Sequence, residues 1–352
     1  MTSAGGSDGG ASTASPVPGP SLTEPIGLRS IDRFVIGTIG DDRSGDCVIA
    51  LDAAELRAAG ALGKAAVAFA DLFASRPLPT ATQILIQVPT WRGYRFVELL
   101  EWLVCAVLGN PDRTTVTWRS GRKTGATGVE RILRARGWKL SESRDGQVIQ
   151  YVGRPPEPGD RPVPLSFRTE LGGRELSFYA DWGVFSSDDV DAGTRLLFSA
   201  AMEGDRVPTV VDVGTGYGPL AVGLVGCGRA TRAMATEVDA VALTLARMNA
   251  AAAGTALDAR LEIDPAVLPD SELTVCNFPT HAKREDSDTL VRGLCRRAAS
   301  GTVLIVVHAN LENRYLARFA KSGAAPAVVR RGRHSVLALG PRAGRAGPPR
   351  SS

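Results

Sequence analysis

Residues 209–219 read Thr-Val-Val-Asp-Val-Gly-Thr-Gly-Tyr-Gly-Pro, and few folds accommodate such a run. The stretch 209–213 suits a buried strand, because branching at Cβ favours the pleated conformation and most of its side chains are apolar. Gly214, Gly216 and Gly218 break that strand at once, and residues 220–225 resume in an apolar, helical pattern. Glycine adopts positive φ without strain and lets a ligand approach the main chain. The helix that follows offers unpaired N–H groups and a positive dipole end. Strand, glycine turn and helix in that order make a nucleotide-type pocket on an α/β sheet.

The spacing narrows the ligand. A dinucleotide fingerprint places its third glycine three residues after the second. Here Pro219 holds that position, and the glycine falls one residue earlier, at Gly218. The Asp-x-Gly-x-Gly-x-Gly spacing that starts at Asp212 is that of S-adenosylmethionine (SAM) sites, which cradle no pyrophosphate. Glu237 closes the next expected strand, 232–237, about twenty residues on, where an acid accepts hydrogen bonds from ribose hydroxyls. Taken singly, the glycines also read as a structural turn and Glu237 as a surface charge. Asp264 ends a further expected strand, 259–264, within reach of an adenine amine; a loop acid is its plain reading.

Four segments together resemble the ribosomal RNA guanine-N2 methyltransferases of the methyltransferase small domain type. Gly183-Val184-Phe185-Ser186 with Asp191-Ala192-Gly193-Thr194-Arg195-Leu196-Leu197 is similar to the family's opening segment. Residues 211–218 resemble its cofactor loop. Glu237 with Arg247-Met248-Asn249 resembles its acidic strand end and the helix after it. Asn277-Phe278-Pro279-Thr280-His281 stands where the family carries Asn-Pro-Pro-Phe-His, and departs from it at Phe278 and Thr280. The resemblance implies SAM as cofactor and ribosomal RNA or a ribosomal subunit as partner. It also implies a class I SAM-methyltransferase sheet, Rossmann-like, ending in an antiparallel hairpin.

The rest of the chain is organised around that unit. Residues 1–24 are rich in Gly, Ser, Thr, Ala and Pro and lack an apolar stretch, which reads as a disordered tail rather than a signal peptide. The Pro- and Gly-rich segment 153–163 reads as a linker, since proline disfavours helix before it. Residues 164–340 alternate strand and helix, as in a mostly parallel sheet covered on both faces, and 341–352 form a basic tail. Residues 25–152 alternate as well, with strands at 34–36, 48–51, 83–88, 114–118 and 148–152 and helices at 53–74, 94–108 and 127–136. They carry no strand followed by alternating glycines, so the family resemblance implies a smaller, degenerate α/β copy without a cofactor site. An unrelated α/β domain is the other reading. No apolar run approaches a membrane span, and Cys47, Cys105, Cys227, Cys276 and Cys295 have no metal or disulfide spacing. These features point to a soluble, cytoplasmic protein without metal. A net charge of +4 fits solubility as well as RNA binding.

The family's chemistry maps onto particular residues. An exocyclic base amine is a poor nucleophile because its lone pair is delocalised into the ring. In the family, an Asn side chain and the next backbone carbonyl accept the amine's N–H bonds and localise that pair. Here these would be Asn277 and the carbonyl of Phe278, with Pro279 stiffening the turn through its fixed φ. The family's fourth residue is an aromatic that stacks on the extruded base. Here it is Thr280, which leaves Phe278 or His281 to substitute, and Phe185 to wall the pocket. Asp212 orders the glycine turn beside the cofactor. Arg195 reads as a surface ion pair. Two basic clusters could meet phosphates: Arg119, Arg122 and Lys123 in an expected loop, and Arg330, Arg331, Arg333 and His334 near the last hairpin. The competing readings are a SAM enzyme for a small metabolite and a SAM- or RNA-binding homologue that has lost catalysis.

Overall fold

The computed structural model describes residues 33–37, 46–62, 64–72, 81–88, 92–121 and 125–341. The tail expected at 1–24 lies outside the described residues, as do 342–352, Arg122 and Lys123; Pro341 closes the last strand.

The N-terminal half builds one sheet from β1 (Arg33–Ile36), β2 (Asp46–Ala50), β3 (Ala65–Ala68), β4 (Gln83–Val88), β5 (Thr115–Gly121) and the hairpin of β6 (Leu140–Asp145) and β7 (Val148–Gly153). Its helices are α1 (Ala53–Ala61), α2 (Tyr94–Leu103) and α3 (Ala126–Ala135). The strand order is β3-β2-β1-β4-β5-β7-β6, parallel except for β7 and β6. The C-terminal half opens with a separate hairpin, β8 (Ser166–Leu171) and β9 (Arg174–Tyr179). Its sheet comprises β10 (Val207–Val213), β11 (Ala230–Glu237), β12 (Leu257–Leu261), β13 (Leu273–Asn277), β14 (Thr302–His308), β15 (Ala324–Arg331) and β16 (His334–Pro341). The covering helices are α4 (Ala192–Met202), α5 (Pro219–Gly226), α6 (Ala240–Ala252), α7 (Arg284–Arg297) and α8 (Glu312–Lys321). The order β12-β11-β10-β13-β14-β16-β15 repeats that of the first sheet strand for strand.

Burial explains the central strand. Val210, Val211 and Val213 on β10 are fully buried, so side chains on both faces of the pleat meet helices, as a parallel sheet requires. The register pairs Val213 with Thr236 of β11 and with Cys276 of β13, which brings the ends of three strands to one edge. In the first sheet Ile36 pairs with Ile49 and Ile86 in the same way. Gly37 therefore corresponds to Gly214 and Gln87 to Asn277. The helix that follows each of the latter two begins seven residues on, at Tyr94 and at Arg284.

Three elements differ from the sequence reading. The helix expected over 53–74 stops at Ala61, and β3 pairs in parallel with β2 from Ala65 to Ala68. Alanine favours helix locally, but pairing with a buried strand overrides that preference. Strand β6 is exposed along most of its length and carries no apolar alternation to betray it. Helix α8, also unanticipated, buries Tyr315 and Phe319, one helical turn apart.

The halves meet through equivalent elements. The N–H of Ala53 donates to the carbonyl of Val238, and the N–H of Ala240 donates to that of Leu51, each at 2.9 Å. Asp52 and Asp239, which cap α1 and α6, form the antiparallel bridge between these bonds. Arg247 and Asp71 add an ion pair across the same seam at 2.7 Å.

Candidate active site

A cavity of about 570 Å³ opens at the carboxyl edge of the second sheet, where β10, β11, β13 and β14 end. That volume lies within the range of ligand clefts, roughly 300–1,000 Å³. Of the residues singled out from sequence, Gly214, Gly216, Glu237, Phe185, Asn277, Phe278, Pro279, Thr280 and His281 line it.

The glycine turn takes φ values of 70°, 60° and 94° at Gly214, Gly216 and Gly218, a region that disfavours any side chain. A Cβ at Gly214 or Gly216 would meet nothing within 4 Å, so the backbone borders open space. The equivalent Gly37 is different: a Cβ there would stand 2.2 Å from the carbonyl of Gln87 on β4. Gly218 caps α5 and packs near Ala246 without reaching the cavity.

Asp212 is fully buried and is not among the residues that line the cavity. Its Oδ2 accepts from the hydroxyl of Thr215 at 2.6 Å and from the N–H of Ala221 at 3.1 Å. It therefore fastens the glycine turn to α5. Burial pushes its carboxyl up to about 6, against those two bonds.

Glu237 is nearly buried and reaches the cavity wall. Its Oε2 accepts from the N–H of Gly216 at 2.7 Å, and its Oε1 accepts from the N–H groups of Val238 and Asp239. A carboxylate oxygen has capacity for a further donor, so the side chain can still receive hydroxyls. Asp264 is not in the cavity. Strand β12 ends at Leu261, three residues earlier than the sequence reading, and Asp264 instead caps a short turn and pairs with Arg296 at 2.7 Å.

Asn277 closes β13 facing Asp191 and Thr194 at the start of α4. Its amide nitrogen donates to Asp191 Oδ2 at 3.2 Å and to the Thr194 hydroxyl at 2.8 Å. Both amide protons are thus engaged, and the oxygen, with no partner among the described residues, is left for the cavity. The ring of Phe278 turns the other way, into the core, with its centroid 4.7 Å from Tyr315 and 6.1 Å from Phe319. It cannot stack on a ligand; it anchors the loop and leaves its carbonyl at the cavity. Phe185 is the exposed aromatic there, 75% accessible, on a turn where Trp182 and Ser186 adopt positive φ. Left-handed backbone at non-glycine residues stores strain and is concentrated at functional sites.

The chain has three histidines, and all of them line this cavity. His308 and His334 pair across β14 and β16 with ring centroids 5.3 Å apart. The sequence reading placed His281 and His334 but not His308, whose strand-end position acquires meaning only once the register is known. The basic clusters also change. Arg330 is paired with Glu203, and Arg331 with Glu312, so Arg333 and His334 are what that cluster presents. Arg119 is not in a loop: it is half-buried on β5, outside the cavity. Arg195 binds Asp189, Thr169 and the carbonyls of Glu170 and Val190, bracing the segment that leads into α4.

Among the described residues no cluster of His, Cys, Asp or Glu is arranged to hold a metal ion, and no helix is long and apolar enough to cross a membrane.

Residues 175–332 match the methyltransferase small domain family. That stretch, under half of the chain, is what resembles the family. It is 25% identical over 187 residues to the ribosomal RNA large subunit methyltransferase G of Pseudoalteromonas translucida, covering 52% of this chain and 47% of that protein. Over 130 residues it is 33% identical to the ribosomal RNA small subunit methyltransferase C of Klebsiella pneumoniae, covering 36% of this chain and 38% of that one. The matched stretches thus span about half or less of these relatives. The small domain and the half before it together superpose on the T. thermophilus 16S rRNA N2 G1207 methyltransferase, solved with AdoMet and guanosine. The TM-score is 0.72 at 20% identity, over 91% of this chain and 89% of that one. This likeness establishes the fold as that of a class I SAM-dependent methyltransferase.

The small domain's buried acid gives it a pH signature. Burial, with repulsion from Asp239, pushes Glu237 up to about 7 from 4.5 despite its backbone bonds. Between those values the folded chain keeps a proton that the unfolded chain loses, so stability falls as pH rises through the window. At about 1.4 kcal/mol per unit the loss is on the order of 3 kcal/mol. Urea unfolding at pH 5 and pH 8 should show a shallower decline for Glu237→Gln than for the wild type. Parallel declines would contradict the assignment.

Proposed function

We propose that the protein transfers the methyl group of SAM to an exocyclic base amine, guanine N2, of ribosomal RNA. Residues 164–340 would carry the catalysis, and residues 25–152 are read as a copy that has lost its own cofactor site. The orientation of Asn277 carries this reading. With its nitrogen tied to Asp191 and Thr194, it presents a carbonyl oxygen at the cavity, and the Phe278 carbonyl follows it in the chain. Two acceptors in succession suit an –NH₂ group and no donorless nucleophile.

The residues present fit SAM. The open backbone at Gly214 and Gly216 leaves room for it, and Glu237 has acceptor capacity for ribose hydroxyls. Bound there, SAM supplies an electrophilic methyl group. The chain's own residues bind and align. Asn277 and the Phe278 carbonyl hold the amine's N–H bonds, drawing its lone pair out of conjugation as the N–C bond forms and the S–C bond breaks. The proton released passes to these acceptors or to solvent. Phe185 offers the exposed ring against which the base can stack, in place of the aromatic that Thr280 replaces. Alignment of this kind lowers the barrier mainly by fixing the reacting pair.

RNA outside the cavity would meet His281, Lys283, His308, Arg333 and His334 around its mouth. Arg333 has no acidic partner among the described residues, whereas Arg330 and Arg331 are neutralised. A second reading, methylation of a small metabolite, is favoured by one observation: loop 277–281 presents no Phe, Tyr or Trp ring to the cavity, since Phe278 packs on Tyr315.

Two measurements test the proposal. Asn277→Ala should lower turnover on ribosomal RNA by on the order of a hundredfold while leaving the affinity for S-adenosylhomocysteine within about twofold, because the bond matters most in the transition state. Equal losses in both would return Asn277 to a structural role. Arg333→Ala should weaken RNA binding and reduce its salt dependence by about one counterion, while Arg331→Ala should not. A salt dependence unmoved by Arg333→Ala would favour the small-metabolite reading.

A further inference from the structure

We propose that the N-terminal half serves the C-terminal cavity directly, with Arg92 as a positioning residue for cofactor binding. The inference rests on the reading of the cavity as a SAM site and assigns that site a part from the other half of the chain.

Arg92 lies in the loop between β4 and α2. It follows the strand of the first sheet that corresponds to β13 in the second, the one that ends in Asn277. In this first sheet Gly37 lies close against Gln87, where the second sheet has open space beside Gly214. Arg92 reaches across the seam. The Arg92 guanidinium meets Asp239 in a two-pronged pair, Nη1 to Oδ1 at 3.1 Å and Nη2 to Oδ2 at 2.5 Å. A forked pair of this kind fixes direction as well as charge. The guanidinium is itself held 4.9 Å above the ring of Phe96.

Two of the residues that Arg92 touches, Asp239 and Gly183, belong to the cavity wall. Asp239 lines the cavity, caps α6 through the N–H groups of Val241 and Ala242, and stands two residues from Glu237. Gly183, on the opposite lip, has its backbone against Arg92: a Cβ at Gly183 would lie 2.4 Å from the Arg92 carbonyl oxygen. One residue of the first half therefore fixes the acidic wall and backs the turn that presents Phe185.

Electrostatics gives the contact a purpose beyond adhesion. Glu237 and Asp239 put two carboxylates on one wall, and ribose hydroxyls require Glu237 ionised to bond it well. Nearby like charges disfavour ionisation, and a paired cation offsets them. Arg92 thus supports the charge state of Glu237 through Asp239. A residue serving only to glue the halves would affect stability and leave cofactor affinity alone.

The test uses the full chain and S-adenosylhomocysteine, measured by calorimetry, beside thermal unfolding without ligand. Arg92→Ala should weaken binding by about tenfold, the range of a partly buried charge-assisted pair. Arg92→Lys keeps the charge without the fork and should fall between wild type and Arg92→Ala, which preserves the test if the alanine variant folds poorly. Asp71→Ala breaks the other cross-seam pair, with Arg247, and should leave affinity within about twofold at a comparable loss of melting temperature. Equal affinity across wild type, Arg92→Lys and Arg92→Ala overturns the proposal, as does an Asp71→Ala loss as large as that of Arg92→Ala. A wild-type chain that binds no S-adenosylhomocysteine overturns the cofactor reading with it.

Discussion

The reversal of strand order at β10 determines where chemistry can occur in this molecule. From β10 the chain first winds outward through β11 and β12, then returns and winds the other way through β13 and β14. Right-handed crossovers put the helices of the two directions on opposite faces, so a crevice opens where they diverge, outside the carboxyl ends of β10 and β13. Gly214, Glu237 and Asn277 are the residues that end β10, β11 and β13 or follow directly. They share one cavity because of this winding, although sixty-odd residues separate the first from the last. The buried side chains then refine the placement. Asp212 pins the glycine turn to α5, and Asn249, itself buried, bonds both Tyr179 and the carbonyl of Tyr217, tying the β8–β9 hairpin to the same turn.

The same winding occurs twice, and the two sheets differ at the points where the second borders its cavity. The second sheet carries glycine at 214 with open space beside it; the first carries Gly37 closed against its neighbouring strand. At the end of β11 stands Glu237, whereas β2 ends in Ala50. What the first half retains is the seam, where the caps Asp52 and Asp239 lie side by side and Arg92 reaches over. Through that contact the first half can lend rigidity to the half that borders the cavity.

Much of this was legible in the sequence, for identifiable reasons. The glycine turn announces itself because positive φ at three alternating positions leaves few residue choices, and Asn277 followed by Pro279 at a strand end is similarly constrained. The alternation of strand and helix in the C-terminal half follows from runs of buried Val, Leu and Ile. Other features lay beyond local signals. The end of β12 cannot be fixed from composition to within three residues, so Asp264 stands beyond the strand that the sequence suggests it closes. The alanine-rich stretch before Phe69 conceals β3, since alanine is at home in helices and only pairing with β2 makes it a strand. Arg330 and Arg331 look like a basic patch until Glu203 and Glu312, remote in sequence, are found beside them. Nothing about Arg92 in the sequence indicates that its partner lies 147 residues away.

The central claim is that the cavity beside Asn277 joins a SAM methyl group to a guanine amine in ribosomal RNA. Incubating the full chain with isotopically labelled SAM and bacterial ribosomal RNA or subunits, then mapping the label by mass spectrometry of nuclease fragments, tests it most directly. The account predicts one labelled methyl group on the exocyclic nitrogen of a guanine, absent when Asn277→Ala replaces the wild type. Label on a ring carbon or a ribose oxygen, or no label in RNA from a protein that binds SAM, would contradict it.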